Sequence, residues 1–247
     1  MEDLAVRARR LGIELSPLQS AQFKVYRQEL LAWNQRVNLT AITAPEEVDI
    51  KHFLDSLTVV LALGPMAGAV GSTRVLDVGS GGGFPGLPLK IAFPDLRVAL
   101  LEVTQKKAAF LTYMKETLGL YDVEIINARA EDAGHDSAYR ERFDVVVTRA
   151  LAAMPVLAEL TLPFCRTGGK VIAQKKGDIA GEVADAQDSV AALGGRFGET
   201  VPVRLPDFGE DRVLAVLEKA GPTPVRYPRK AGIPQKHPLG LAGGRVP

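Results

Sequence analysis

Val75-Leu76-Asp77-Val78-Gly79-Ser80-Gly81-Gly82-Gly83-Phe84-Pro85-Gly86 is an apolar run that carries one acid, breaks into glycines and then opens a helix. That order reads as strand, tight turn and helix start. Glycine has no Cβ, so the backbone of such a turn can come close to a bound nucleotide. The frame from Gly79 misses the last glycine of G-x-G-x-x-G, because Phe84 stands there. The frame Gly81-x-Gly83-x-x-Gly86 completes it, and a lone match of this kind is weak evidence. Asp77 is the discriminating residue. A pyrophosphate asks for N–H donors, whereas a carboxylate at the strand tip suits a ligand with positive charge. The ammonium and sulfonium groups of S-adenosylmethionine (AdoMet) fit that description, and NAD fits it poorly. Downstream, Arg97-Val98-Ala99-Leu100-Leu101-Glu102 reads as a second strand ending in an acid. An acid about 20 residues past the glycine turn is placed to hold a ribose hydroxyl pair.

Strands and helices alternate from Arg74 onward, which implies a mostly parallel sheet covered on both faces. Strands are expected near 74–79, 97–102, 123–127, 143–148 and 169–175, and helices near 86–93, 105–118, 153–164 and 179–193. Apolar runs near 200–204 and 212–218, after the Gly194-Gly195 turn, read as a closing antiparallel pair. The fold class expected is α/β, the seven-stranded, Rossmann-like class I AdoMet-dependent methyltransferase arrangement with an N-terminal helical extension. Within that extension Ser16-Pro17-Leu18-Gln19 is a helix start with Ser at the N-cap and Gln at N3. Its apolar stripe is read as Leu18, Val25, Leu30, Trp33 and Val37. Thr43-Ala44-Pro45-Glu46 is a second capping-box start, for a helix running to about Leu63. The organisation expected is a helical region over 1–66, an AdoMet-binding core over 67–220 and a basic tail over 221–247.

The chain has 247 residues, 47% of them hydrophobic, and a net charge of +1. No apolar run reaches the length of a membrane span, and the N-terminus lacks the order of a signal peptide. The expectation is a cytoplasmic protein with no membrane partner, a monomer. A lone Cys165 excludes a disulfide framework and a cysteine-rich metal site. Its simplest reading is a small buried hydrophobe. His52, His135 and His237 are too scattered for a metal site, and none is expected. Charge is uneven, since after Glu218 there is no acid, while Lys219, Arg226, Arg229, Lys230, Lys236, His237 and Arg245 follow. Such clustering suits phosphate contact or a solvated terminus equally.

Ligands of an open α/β sheet sit over the C-terminal strand ends. Those ends offer Asp77, Gly79 and Gly81; Glu102, Val103 and Thr104; Asn127-Ala128-Arg129-Ala130-Glu131; Arg149; and Lys175 with Lys176. Arg129, Arg149 and Lys175 are read as converging on one basic rim fit for phosphate or a nucleobase edge. No cysteine is placed as a nucleophile, and no Asn/Asp-Pro-Pro-Tyr/Phe follows the fourth strand. A site with no obvious base or nucleophile fits guanine N7, whose in-plane lone pair carries no proton, so alignment supplies much of the barrier reduction. His52 reads first as a packing residue and second as a contact across the cleft.

Asn38-Leu39-Thr40, Lys51-His52-Phe53-Leu54-Asp55-Ser56-Leu57, the Leu76–Leu89 turn, Arg129-Ala130-Glu131, Arg149-Ala150 and Tyr227-Pro228-Arg229-Lys230-Ala231-Gly232-Ile233-Pro234 together resemble the bacterial small-subunit rRNA guanine-N7 methyltransferases, the RsmG or glucose-inhibited division protein B family. The likeness runs from about residue 20 to 240. It implies methylation of guanine N7 at position 527, in the 530 loop of 16S rRNA, with the small ribosomal subunit or an assembly intermediate as partner. It implies AdoMet contacts from Gly79, Phe84, Glu102 to Thr104, Ala130, Glu131 and Arg149, and it leaves Arg129 and Lys175 as candidates for RNA or transition-state contacts. Which of Lys175 and Lys176 faces the cleft stays open. A nicotinamide-dependent oxidoreductase and a non-enzymatic RNA-binding factor are the rival readings.

Overall fold

Strands β1 (Arg74–Val78), β2 (Arg97–Leu101), β3 (Val123–Ile126), β4 (Phe143–Arg149), β5 (Cys165–Lys176), β6 (Gly195–Val203) and β7 (Arg212–Lys219) form one sheet in the order β3-β2-β1-β4-β5-β7-β6. The first five strands run parallel, and β7 lies antiparallel between β5 and β6. The computed structural model describes residues 3–64 and 73–240. The expected boundary at 66/67 and Arg245 of the tail lie outside those residues.

Strands buried on both faces need continuous apolar sequence, and Val145-Val146-Val147 is such a run. Val145 and Val147 join one core, and Val146 between them joins the other. One core packs the sheet against N-terminal helices and against α6 (Gly86–Ala92) and α7 (Gln105–Thr117). The other packs it against α9 (Met154–Thr161) and α10 (Ala180–Ala192), with the short α8 (Ala130–Ala133) beside them. The strand order reverses between β1 and β4, which opens the ligand crevice above those two strands.

The N-terminal layer holds α1 (Leu4–Arg9), α2 (Pro17–Val37), α3 (Pro45–Val48), a π-helical turn (Asp49–Leu54), α4 (Asp55–Leu57) and α5 (Val60–Leu63). The α2 capping box forms as expected, with Ser16 and Gln19 each bonded to the other's backbone. The stripe of α2 needs correction. Leu30 is buried and Val25, Trp33 and Val37 pack partly buried against the core, but Leu18 is 70% exposed, and Phe23 and Tyr26 are the other buried residues. The face is set by aromatic rings that pack on the glycine turn. The second capping box does not form either: the N-cap is Ala44, without a side-chain bond. Pro45 fixes the first helical φ and holds the residue before it extended, so the helix starts one residue later than Thr43 implies.

Gly86 shows why this turn spends its glycines. A Cβ there would stand 2.4 Å from Leu100 Cδ2, 2.9 Å from Asp77 Oδ2 and 3.0 Å from Asp77 Cβ. The bare backbone is what lets α6 close on β1 and β2. Gly86→Ala is therefore expected to destabilise by about 1–3 kcal/mol through overpacking. Gly181→Ala, on α10 with nothing within 4 Å, is expected to be neutral or stabilising. Thermal unfolding of the two variants checks the contrast.

The C-terminal segment, through α11 (Ile233–Lys236), lies against the core. Tyr227 is buried, Arg140 donates to the Tyr227 and Thr223 carbonyls, and Arg229 forks onto the buried Glu159 carboxylate. Lys219 is buried beside Glu141. Lys219 and Arg229 of the basic C-terminal cluster are thus committed inside the protein, while Lys230, Lys236 and His237 face solvent.

Candidate active site

Two cavities flank the crevice. The first, of about 150 Å³, is lined by Val78, Gly79, Leu101, Glu102, Val103, Ala128 to Glu131, Leu151 and Leu160. Gly79 enters the left-handed region (φ 76°), donates from its N–H to Leu101 O, and leaves no room for a Cβ, which would stand 2.9 Å from Leu151 Cδ1. Glu102 is 5% exposed; Oε2 accepts from Gly81 N at 2.9 Å and Oε1 from Thr104 N at 2.7 Å. Val103 is 53% exposed at the lip, and Thr104 caps α7 beside it. Ala130 opens α8, and Glu131 Oε1 accepts from Gly232 N of the C-terminal segment at 2.9 Å. Apolar walls with the Glu102 and Glu131 carboxylates suit an adenosine: a planar base between aliphatic side chains, and a diol within reach of an acceptor.

Asp77 lies beneath the turn and lines neither cavity. It is wholly buried, and Oδ2 accepts from Gly86 N at 2.9 Å. Burial pushes its carboxyl up to about 7, against the Gly86 N–H and the Arg149 charge that pull it down. The expected direct contact with a cationic ligand at the strand tip is therefore not what the structure offers: the carboxylate sits under the turn, facing Gly86 N. Above it, Phe84 is 4% exposed and sits in a stack, with Tyr26 at 5.6 Å and His52 at 4.4 Å between ring centroids. Tyr26 also donates its hydroxyl to Gly82 O, so α2 clamps the glycine turn directly.

The second cavity, of about 370 Å³, lies between the N-terminal layer and the ends of β4, β5 and β7. Arg149 dominates it. Its Nη1 donates to Lys51 O at 2.9 Å and to Asp55 Oδ2 at 3.1 Å, Nη2 stands 3.0 Å from His52 Nδ1, and the guanidinium lies 4.8 Å above the Phe84 ring. Asp55 also meets Arg212 Nε at 3.2 Å, a charge contact without hydrogen-bond alignment. Ala150, next to Arg149, holds a left-handed φ of 53°, a backbone outlier of the sort that clusters at active sites. Lys175 donates to Glu182 Oε2 at 2.6 Å and to Ala152 O at 2.9 Å, while Lys176 reaches outward to Glu210. Both lysines line the cavity.

His52 is 7% exposed, and burial together with the Arg149 charge pushes its imidazole down to about 3 from an ordinary 6.5. The unfolded chain takes up a proton below 6.5 that the folded ring refuses until about 3. This contribution to stability is thus fully present above 6.5 and is lost as pH falls toward 3. Denaturant unfolding at pH 7 and pH 5 is expected to show a larger loss for the wild type than for His52→Asn.

The structure divides the basic rim expected from sequence. Arg129 is exposed at the first cavity, whereas Arg149 and Lys175 line the second. Strand ends alone could not separate them, because the division falls within the turn after β4, where Ala150 lines the second cavity and Leu151 the first. Sequence reasoning missed Tyr26, Asp55, Arg212 and Gln174 as parts of the site. Asp55 carried one usable signal, its position three residues after His52, which stacks the two on one helical face.

An open sheet in this order, with a glycine turn and a strand-end acid around an adenosine-shaped cavity, defines a Rossmann-like AdoMet-dependent methyltransferase. A solved MtNAS mutant shares the fold, with TM-score 0.51 and 18% identity over 82% of this chain and 76% of that one. The family model for GidB, rRNA small subunit methyltransferase G, matches residues 19–204. Curated ribosomal RNA small subunit methyltransferases G are similar over nearly their whole length. That of Dehalococcoides mccartyi strain CBDB1 is 52% identical over 97% of this chain and 100% of its own. That of Roseiflexus sp. strain RS-1 is 48% identical over 97% and 100%, and that of Streptococcus pyogenes serotype M1 is 44% identical over 92% and 94%. The chain belongs to the rRNA small subunit methyltransferase G family.

Proposed function

We propose that this methyltransferase transfers a methyl group to N7 of guanine 527 in the 530 loop of 16S rRNA. It acts as a monomer in the bacterial cytoplasm, on the small subunit or an assembly intermediate. One observation carries the choice of acceptor atom: every ionisable side chain lining the second cavity is already paired. Asp55 lies between Arg149 and Arg212, Lys175 holds Glu182, Lys176 and Arg212 meet Glu210, Lys51 holds Glu47, and both His52 nitrogens have partners. Among the described residues of this cavity, none offers an unpartnered base to take a proton. Exocyclic amines, hydroxyls and ring carbons need one removed, whereas guanine N7 does not, so alignment suffices.

AdoMet is the methyl donor, and when bound it supplies an electrophilic methyl on a sulfonium. Glu102 holds the ribose, Ala130 and Glu131 frame the adenine, and Gly79, Gly81, Val103 and Thr104 form the rim of that cavity. Asp77 favours the cationic end from below, with Phe84 as the floor. Arg149 orders the acceptor cleft, and Arg129 and Lys175 contact RNA. Exposed Lys51, Lys176, Lys230 and Lys236 meet phosphates in a salt-dependent way. Incubation with labelled AdoMet and small-subunit particles lacking the modification, followed by chemical cleavage at N7-methylguanine, tests the reading. A single cut in the 530 loop is expected; label elsewhere in the rRNA overturns the site assignment.

A further inference from the structure

We infer that His52 is a positioning residue for methyl transfer: its Nδ1 lone pair fixes the Arg149 guanidinium across the acceptor cleft, and Thr40 fixes the ring. The inference rests on the methyltransferase reading above.

A guanidinium can only donate. The 3.0 Å contact between Arg149 Nη2 and His52 Nδ1 therefore requires a bare Nδ1. Nδ1 also lies 3.1 Å from Lys51 O, which accepts from Arg149 Nη1 at 2.9 Å; a proton on Nδ1 could serve that carbonyl but would set Nδ1–H against the Nη2 donor of Arg149. The fork thus grips three acceptors offered by one helical segment: Lys51 O, His52 Nδ1 and Asp55 Oδ2. The ring proton is left on Nε2, which stands 2.6 Å from Thr40 Oγ1. Thr40 is itself immobilised. Asn34 accepts from its N–H at 2.9 Å and donates to its carbonyl at 2.8 Å, and the Thr40 hydroxyl accepts from Ile42 N. Below, the imidazole rests on Phe84, tilted by 19°. The chain Asn34–Thr40–His52–Arg149 carries the geometry of the N-terminal layer to the cleft wall. It explains why a histidine stands where an aliphatic residue would fill the same space: only a neutral ring with one donor and one acceptor edge satisfies both neighbours. The π-helical turn that carries His52 has the unusual winding often found at functional sites.

The two amide variants separate this role from packing, since both remove the ring. The asparagine amide oxygen reaches the place of Nδ1, whereas the glutamine amide reaches the place of Nε2. His52→Asn is expected to keep kcat within about threefold of wild type. His52→Gln is expected to lose about 100-fold in kcat, the size of effect that a misplacement of about 1 Å produces, with KM for AdoMet changed little. Equal losses in the two variants, or a better His52→Gln, overturn the inference. Failure of the wild type to methylate small-subunit particles would instead sink the reading beneath it. Should either variant fail to fold, nitrogen NMR of the ligand-free wild type decides: a bare Nδ1 and a protonated Nε2 are expected, and the opposite tautomer is contradictory.

Discussion

Replacing Asp55 with alanine is expected to destabilise the protein by about 3–5 kcal/mol, the usual result of removing one partner from a buried ion pair, and to abolish methyl transfer. Asp55 is 4% exposed and is the acid between two guanidiniums. The Arg212 side chain is 6% exposed and that of Arg149 17%. Without Asp55, Arg212 keeps a 3.4 Å contact with the half-exposed Glu210 and the Phe208 ring 4.7 Å below its guanidinium. Arg149 keeps Lys51 O and His52 Nδ1 but no opposite charge. Neither guanidinium can shed its proton, so the molecule must open the cleft to water or bear two buried like charges. Asp55→Asn keeps the volume and one acceptor and is expected to fall between. Denaturant midpoints at constant m-value, with methyl-transfer rates on the folded fraction, check this. A loss below about 1 kcal/mol would mean that water already screens the pair.

The second large effect is on cofactor affinity. Glu102→Ala is expected to weaken AdoMet binding by about 100-fold. The carboxylate ties Gly81 N and Thr104 N, one on each side of the first cavity, and charge-assisted bonds of this kind contribute about 1.5–3 kcal/mol each. Removing them frees two N–H groups at the turn and takes away the ribose acceptor. Glu102→Gln is not expected to rescue, because its amide would set a donor against one of two N–H donors. Titration calorimetry with AdoMet reads both variants. Affinity within twofold of wild type, with unfolding unchanged, would place the ribose elsewhere.

The fold was legible because its determinants are local. Asp77, the glycines after it and Glu102 lie within one βαβ unit, and each strand announces itself as a short apolar run. The adenosine-side residues were legible for the same reason: all stand at strand ends, where the topology brings ligands. The acceptor side was not. Arg149 meets Asp55 across 94 residues of sequence and His52 across 97, and Asp55 meets Arg212 from the far side of the sheet. No spacing rule encodes such contacts. The stripe of α2 was legible except at exposed Leu18; it did not include Phe23 and Tyr26, whose rings meet Phe53 and, for Tyr26, Phe84 and Gly82 of the glycine turn. Likewise the sequence left Arg229 open between phosphate contact and solvation, since its partner Glu159 lies 70 residues away on α9.

The two cavities assign different work to the two ends of the crevice. In the proposal the first holds the donor, and the second aligns an acceptor without a base. The most direct test is the pH dependence of the single-turnover methylation rate, at saturating AdoMet and enzyme in excess over small-subunit particles, from pH 6 to 8.5. His52 is already neutral throughout that range, and Asp77, whose carboxyl at about 7 titrates within it, is assigned to cofactor affinity, which saturating AdoMet removes from the rate, so the rate is expected to be level. A rate that climbs about tenfold per pH unit, the signature of a base that must lose its proton first, would contradict the account.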